Sequence, residues 1–545
     1  MQNVVKERYA DYIASFALEA VSQLDRDAST VLATIREWKN SFAYVNRVPT
    51  DILSLIPTHL PTQKDRFHAA SVCRHWRGVL LGHGALWSQL FLEKGEECVS
   101  TLLERAKGSA LNIITHRDVP VGIMTLISPR AQQIASLEFL GNYWQDIIAF
   151  SELYSDQLPL LHTLKVVSLK TVDSHYQPVV VTAPSLPLFK GSINLQKFVI
   201  RPWKLSSLSH FIFPNLTTFE LSENSVPEMC SASCLLNFLK ASPMLQTVKI
   251  EISTEIMLEN VPQEMVVVLP HVETFSLHVL VTHRAVPRIY DIAAYVSCPC
   301  AKYTSLTQGM YDDEMSADLE VFPTPDSWNA IVHQYTESPI EKVTLKIKSS
   351  TNVHIDCFLT FWSSGASVII LGFKIYETYS EEDELNKLPE EMGWEIFSKA
   401  LTTIRDHPLL SHTKRLHIEQ RAGMSNIDEM GVENEVWELF SPLGPLDELT
   451  ICGCDLHVPL ARLINNRGLY HPEQHNVSLQ IKELKILDPS TRADEMVCVE
   501  GIVALAKLQH ALGTPFRCVT VRTWYYHDGM EEELRRWVPT VDWSH

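Results

Sequence analysis

The sequence predicts an α/β protein in which a small all-α module precedes a long, irregular solenoid with a curved parallel sheet. Residues 46–95 contain short helical stretches that proline and glycine interrupt. From residue 96 to residue 545, a six-residue pattern with alternating apolar positions recurs, commonly after a helix-like stretch. The predicted parts are therefore an N-terminal helical segment at 1–45, the module at 46–95 and the solenoid at 96–545.

Length and composition favour a globular protein of more than one unit. The chain has 545 residues, more than one hydrophobic core usually supports. Its net charge of -19 disfavours binding to nucleic acid or to anionic membranes, because such binding needs clustered Lys and Arg. The eleven cysteines follow no regular spacing, and the N terminus lacks the pattern of a signal peptide. We therefore expect a soluble protein of the cytoplasm or nucleus.

Residues 1–45 are predicted to form two helices. Apolar residues recur at spacings of three and four from Val5 to Leu24, the pattern of an amphipathic helix. Asp27 and Ser29 are suitable caps for a second helix, whose apolar stripe ends at Trp38. Two interpretations remain open. The pair forms a hairpin that packs on the next module, or it forms an arm that pairs with a partner helix or a second copy of the chain.

The module at 46–95 is predicted to contain three short helices. Pro49 suits a first helical turn, because its missing N–H would be unpaired there, and Asp51 places a negative charge near the helix start. After a proline-bounded break, Asp65–Val72 and Arg74–Leu81 form the second and third helices. Apolar residues occupy more than one face of these helices, which indicates that another chain buries some of them.

The residues of this module resemble the F-box motif. The run VCRHWR with a closing LW is similar to F-box proteins of fungi in particular, many of which carry a leucine-rich-repeat-like tail. Val48 stands where the motif usually has Leu, and Asp51 where it usually has Glu, and both keep the chemistry. The matching residues are Val48-Pro49, Ile52, Leu60-Pro61, Asp65, Val72-Cys73-Arg74, Trp76-Arg77 and Leu86-Trp87.

This resemblance implies docking to the Skp-family adaptor protein of a Skp–cullin–F-box (SCF) ubiquitin ligase, and through the adaptor to a cullin. For Pro49 and Ile52 we favour direct contact, whereas for Trp76 a place in the core of the module fits at least as well. The resemblance gives the candidate contacts, mixed with core residues, as Val48, Pro49, Ile52, Leu53, Ile56, Leu60, Val72, Cys73 and Trp76.

The recurring pattern of 96–545 resembles irregular leucine-rich repeats. In such units a strand turns its alternate apolar residues to the interior, and Asn224 and Cys454 occupy the step after the strand in the two fullest copies. The concave sheet and its loops would bind a target protein. Copies begin at 134, 161, 195, 216, 245, 272, 340, 366, 446, 481 and 516, with a weak strand at 415–418. Helices are predicted at 234–242, 328–338, 390–407 and 496–513.

Two stretches of the array allow more than one interpretation. Phe358–Phe373 is apolar but shorter than the ~20 residues of a membrane-spanning helix, so we predict a buried strand with its preceding turn. The tail at 524–537 places aromatic residues beside a charged helix, which fits a cap on the solenoid or an interface.

No motif for catalysis, metal or cofactor binding emerges. Phosphate-binding and dinucleotide-binding glycine loops, a nucleophile elbow and a zinc-protease motif are all missing from the sequence. The pairs Cys298-Pro-Cys300 and Cys452-Gly-Cys454 are spaced more closely than the usual zinc-binding pairs. We therefore predict no catalytic residue, metal or cofactor in this chain.

The resulting hypothesis is a non-enzymatic substrate-recognition adaptor of an SCF-type ubiquitin ligase. It would dock the Skp adaptor through the F-box and hold a target protein on the solenoid. A scaffold that docks without promoting turnover of its partner is one alternative. A hydrolase or transferase hidden in 96–545 is another.

Overall fold

The computed structural model describes most of the N-terminal quarter of the chain and the regular elements of the remainder. The predicted helices at 328–338 and 390–407 lie outside the described residues, as do Asn224 and Cys454. The described residues are 2–60, 62–116, 119–141, 144–154, 158–167, 194–201, 208, 211–222, 230–252, 256–257, 266–281, 292–311, 340–350, 354–363, 368–376, 413–421, 446–452, 481–487, 492–511, 513–522 and 529–544.

The chain divides into two compact units. The first unit comprises Met1–Asp146 and Gln157–Leu161, and the second comprises Ile147–Asp156 and His162–His545. The first unit contains the whole predicted module together with the first strands of the predicted array. The domain boundaries at 45 and 95 stay predictions.

The N terminus forms one continuous helix, α1, from Gln2 to Ser41. The predicted break at Asp27 and Ser29 is wrong, because both residues lie inside this helix. The hydroxyl group of Thr30 donates a hydrogen bond to the carbonyl oxygen of Arg26 at 2.8 Å, one turn earlier. Side-chain bonds of this kind satisfy the polar groups of the stretch within the helix, so no cap interrupts it. The hairpin interpretation is therefore wrong as well.

Short helices follow α1, each ended by local chemistry. The hydroxyl of Thr62 accepts the backbone N–H of Asp65 at 3.2 Å and so caps the N terminus of the third helix. Cys73, with extended backbone angles, separates the third helix from the fourth. The elements are a 3₁₀ turn at Tyr44–Arg47, α2 at Thr50–Leu55, a 3₁₀ turn at Ile56–His59, α3 at Gln63–Ser71, α4 at Arg74–Gly82 and a 3₁₀ turn at Gly84–Trp87.

Three parallel strands complete the first unit. Its strands pair in the order β1, β2, β3, and the register aligns Leu90, Ile113 and Leu137 in one buried row. The elements are β1 at Gln89–Phe91, α5 at Glu96–Ala106, β2 at Leu111–Thr115, α6 at Val121–Ile127 and β3 at Ile134–Leu140. The first strand thus begins two residues after the last 3₁₀ turn, without a linker.

Most of helix α7, Trp144–Tyr154, belongs to the second unit from Ile147 onwards, and a parallel array of strands follows it. Strands β4, β5, β6, β8, β11 and β13 pair side by side in this order. Helix α8, Ala232–Lys240, confirms the helix predicted at 234–242. The strands are β4 Thr163–Val167, β5 Lys197–Arg201, β6 Thr218–Ser222, β8 Thr247–Ile252, β11 Thr274–Val281 and β13 Tyr303–Tyr311. Two short parallel pairs join β7 Cys230–Ser231 to β9 Ile256–Met257 and β10 Val267–Val268 to β12 Val296–Ser297.

An antiparallel hairpin interrupts the parallel array. Strand β16, Val368–Tyr376, pairs in parallel with β13, while β15, His354–Ser363, runs antiparallel to both β16 and β14, Ile340–Ser350. The prediction of one strand with a preceding turn at Phe358–Phe373 is therefore wrong, since two strands occupy this stretch. The sheet is parallel-dominated but not purely parallel.

The rest of the sheet is again parallel. Strands β14, β17, β18, β19, β20 and β21 pair in chain order. The leucine-rich-repeat assignment of these units stays a prediction. The elements are β17 Arg415–Arg421, β18 Leu446–Cys452, β19 Ile481–Leu487, α9 Arg492–Ala511, β20 Cys518–Arg522, α10 Met530–Arg535 and β21 Thr540–Ser544.

Alternation along these strands separates an apolar face from a polar one. One aligned row, Phe198, Phe219, Val248 and Phe275, is buried. A second buried row is formed by Leu416, Leu449, Leu484 and Val519. The residues that alternate with these rows along each strand point to the opposite face, as the period of two requires, and several of them are charged, among them Glu220, Lys249, Glu448 and Lys485.

Glu448 lies on this opposite face, and the pH dependence of the melting temperature tests its ion pair. Burial by itself raises its pKa, but hydrogen bonds from Lys485 at 2.7 Å and Thr450 at 3.0 Å, with the charges of Lys485 and Arg415, lower the pKa overall. The ionised carboxylate therefore stabilises the fold above the usual Glu range, and this stabilisation is lost as pH falls through the lowered pKa. We expect Glu448→Gln to lower the melting temperature at pH 7 by about 1–2 °C, and the difference from wild type to vanish at acidic pH. Differential scanning fluorimetry across pH would measure it.

Glu500→Gln, at an exposed position of α9, is the control and should leave the melting temperature unchanged. A Glu448→Gln effect that stayed constant with pH would contradict the ion-pair explanation.

Candidate docking surface

One side of the helical module is buried by contacts with other residues of the same chain. Trp87 is fully buried, and its indole N–H donates to the carbonyl oxygen of Leu80 at 2.8 Å. The ring of Phe67 lies 5.2 Å from that of Trp87, and the Arg105 guanidinium lies 5.2 Å from the centroid of the Trp87 ring. A cation over a buried indole is a favourable arrangement. These contacts join α3 and α4 to α5.

Hydrogen bonds to backbone carbonyl oxygens also stabilise this side of the module. Arg66 donates to the carbonyl oxygen of Leu86 at 3.2 Å, and the side-chain amide of Gln63 donates to the carbonyl oxygen of Gln89 at 3.3 Å. Lys107 Nζ donates to the carbonyl oxygen of Gly82 at 3.2 Å. Charged donors on backbone carbonyls hold a surface more firmly than neutral ones. This side of α3 and α4 is therefore committed to the segment that follows them.

Glycine at position 84 allows this close approach. A Cβ atom there would lie 2.5 Å from the carbonyl oxygen of Ala106 and 2.8 Å from the Ser109 hydroxyl. No side chain fits in that space without a shift of the α5 backbone. The tight junction between the module and α5 therefore depends on Gly84.

Several apolar side chains of the module that take no part in these contacts are exposed. Ile52, Leu55 and Ile56 recur at helical spacing on α2 and the following turn, and Ile52 is 49% exposed. Val72, at the junction of α3 and α4, is 59% exposed. Four aliphatic side chains of this small module are therefore 38–59% exposed and available to a partner. This set, Ile52, Leu55, Ile56 and Val72, is called the aliphatic patch below.

The structure sorts the nine predicted contact residues into core and surface. Leu53 is completely buried and Trp76 retains 9% exposure, so both belong to the core of the module. Pro49, Ile52, Ile56 and Val72 are exposed, whereas Val48, Leu60 and Cys73 are half-buried.

The nine predicted contact residues do not include two exposed apolar residues of the module, Leu55 and Phe67. Leu55 lies three residues after Ile52, so helical spacing could have identified it. Phe67 is 36% exposed and also contacts Trp87. It therefore belongs partly to the core and partly to the surface, a division that no sequence signal indicates.

A second surface lies on the polar face of the sheet in the second unit. Glu220 faces Arg201 at 3.3 Å and Lys249 at 3.8 Å, so charges of opposite sign alternate across neighbouring strands. On later strands, Lys485 lies 2.7 Å from Glu448. At the start of the same two strands, Lys482 lies 2.5 Å from Asp447, and this hydrogen bond lowers the pKa of the Asp447 carboxyl group. Such paired charges are weak individually but define a patterned surface.

No metal site is apparent in the part of the chain that the structure describes. Within it, no group of three or more His, Cys, Asp or Glu side chains is placed to hold an ion. Cys298 is buried, which raises the pKa of its thiol, while Cys300 is exposed. Among the described helices, none has the length and apolarity needed to cross a membrane.

The division between core and surface predicts different effects for neighbouring residues. Leu53→Ala removes a fully buried side chain, so we expect it to lower the free energy of unfolding by about 2–5 kcal/mol. Ile52→Ala trims an exposed side chain and should change it by less than about 0.5 kcal/mol. Urea titration followed by circular dichroism would measure both. Equal effects of the two substitutions would contradict the orientation of α2.

Comparison with known proteins agrees with the resemblance of the module. Residues 45–93 match the model of the F-box-like family, a range that includes α2, α3, α4 and β1. A search of curated proteins finds no match to this chain. The family match supports an F-box protein.

Proposed function

We propose that this protein is the substrate-recognition adaptor of an SCF-type ubiquitin ligase. The observation that carries the proposal is the aliphatic patch, which lies within the segment that matches the F-box-like family. F-box domains typically bind a Skp-family protein, and F-box proteins are generally non-catalytic subunits. The patch would dock this adaptor, and the adaptor would bring the cullin.

The physical case for docking is the exposed apolar surface. Burying an aliphatic side chain contributes about 1.5–3 kcal/mol, so four such side chains offer enough energy for a specific contact. Pro49 is exposed at the start of α2 and would extend the contact, with the half-buried Val48, Leu60 and Cys73 along its margin. Leu53 and Trp76 would support the patch from below.

The target would bind the polar face of the sheet in the second unit. This face carries the charge pairs Arg201–Glu220 and Lys485–Glu448, with Lys249 nearby. Alternating charges discriminate between partners, because a like charge placed opposite any of them is repelled. The transfer chemistry would come from other subunits in the cytoplasm or nucleus, so this chain needs no catalytic group.

Adaptor binding tests the first half of the proposal. The double variant Ile52→Ala with Val72→Ala should weaken binding of a purified Skp-family adaptor about 10- to 100-fold, because exposed apolar anchors carry most of the energy of such contacts. Isothermal titration calorimetry with the full chain would give the dissociation constants.

The matched control is Val121→Ala with Ile212→Ala, the same two substitutions at exposed positions outside the module. It should bind like wild type. Wild-type affinity in the Ile52 and Val72 variant, with an unchanged melting curve, would remove the patch as the docking site.

Turnover of the bound target separates a ligase adaptor from a scaffold. Deleting residues 46–95 would also remove β1, so the point variant is the better tool. Proteins that co-purify with the chain should have longer half-lives in cells that carry Ile52→Ala with Val72→Ala than in wild-type cells. Half-lives measured by pulse-chase that are unchanged, with adaptor binding lost, would favour a non-degradative scaffold.

A further inference from the structure

Helix α1 carries a long apolar stripe that nothing in the described chain covers. Its members recur at spacings of three, four and seven or eight, and each is more than half exposed. They lie within about 140° of arc on a helix of 3.6 residues per turn. The α1 stripe consists of Tyr9, Tyr12, Ile13, Phe16, Leu24, Val31, Ile35 and Trp38.

The exposed area of the α1 stripe is comparable to the area that one partner contributes to a protein–protein interface. Four aromatic and four aliphatic side chains at this exposure offer roughly 900 Å², close to the ~800 Å² that each partner contributes to a standard interface. Phe42 extends the stripe beyond the helix, with its ring 5.0 Å from that of Trp38. One further helix of similar length would cover it.

Charges beside the α1 stripe indicate what that helix is. Arg8, Glu19, Arg26 and Glu37 are separated by 11, 7 and 11 residues. On a regular helix they fall within about 20° of one line, so they form a row of alternating sign along one side of α1. In the reverse direction the row has the opposite sign at each position, so it is complementary to a reversed copy of itself. An antiparallel copy places Arg8 opposite Glu37 and Glu19 opposite Arg26, and the spacing matches at all four positions.

We propose that α1 pairs antiparallel with α1 of a second copy of this chain. The α1 stripes would bury each other, and the charge row would form four ion pairs related by a two-fold axis between Ser22 and Gln23. Glu37 also accepts a bond from Arg74 at 3.2 Å, through one of its two carboxylate oxygens. That exposed pair leaves Glu37 on the surface where a second arginine can reach it.

The same charges disfavour other occupants. In a parallel, in-register pair the two charge rows would lie on opposite sides of the dimer, so none of the four ion pairs would form. Asp27, which lies between Phe16 and Trp38 around the helix, would approach its own copy. A membrane surface attracts helices whose polar face is rich in Lys and Arg. On α1, acidic and basic residues nearly balance.

The antiparallel arrangement has a consequence for the docking module. The C-terminal ends of the two helices would lie about 60 Å apart, since each helix has 40 residues at ~1.5 Å per residue. Each end leads into its own α2, so the two aliphatic patches would be far apart and both accessible.

The test is the mass of the full chain in solution. Sedimentation velocity at micromolar concentration should give twice the 61.9 kDa of one chain. Phe16→Glu, in the middle of the α1 stripe, should abolish the dimer. Leu18→Glu, at an exposed position on the opposite face of α1, should leave it intact. Unchanged melting curves would show that both variants keep the rest of the fold.

A charge exchange tests the orientation. Glu19→Arg should weaken the dimer about 10-fold, because two pairs of like charges then face each other. Glu19→Arg with Arg26→Glu should restore wild-type association. These residues are seven apart in one helix, about 10 Å along its axis, so restoration within a single chain is excluded.

Three outcomes would overturn the proposal. They are a monomer at all concentrations, a dimer that Phe16→Glu leaves intact, and a double charge variant that stays as weak as the single one. Binding of the monomer to vesicles that contain anionic lipid would assign the α1 stripe to a membrane surface instead. None of these results depends on adaptor binding, so the proposed function is tested separately.

Discussion

The burial of Trp87 determines which side of the helical module is available. Its ring lies in the core with Phe67 and under the guanidinium of Arg105, and its N–H is satisfied by the carbonyl oxygen of Leu80. Because this one residue contacts α3, α4 and α5, it fixes the module on the start of the sheet. Ile52, Leu55 and Val72, which do not take part in this cluster, are left exposed to solvent.

This arrangement explains how a module of short helices can expose aliphatic side chains and remain folded. Roughly 45 residues form a marginal core by themselves. Leu90 of β1 and the helix α5 add buried surface directly after the short helices of the module. The first strands of the sheet therefore supply stability that the module lacks, and the aliphatic patch can be used for binding.

Strand positions were predicted well because they depend on local alternation. Each of the eleven predicted strand starts lies at, or two residues before, an observed strand, and even the weak stretch at 415–418 corresponds to β17. The strands that were missed, such as β2 and β13, do not begin with the expected apolar spacing. The hairpin of β15 and β16 was missed for another reason. An apolar run is equally compatible with one strand or two, and only the pairing of β15 with β14 distinguishes them.

The sequence by itself determined the positions of most strands, the apolar character of the module and its resemblance to the F-box, because these follow from spacing along the chain. Only the tertiary structure decided that Leu53 is buried while Ile52 is exposed, and that α1 is one helix rather than two. Two neighbouring aliphatic residues look the same in a sequence. Their roles differ because the opposite sides of a helix meet different neighbours, and those neighbours come from distant parts of the chain.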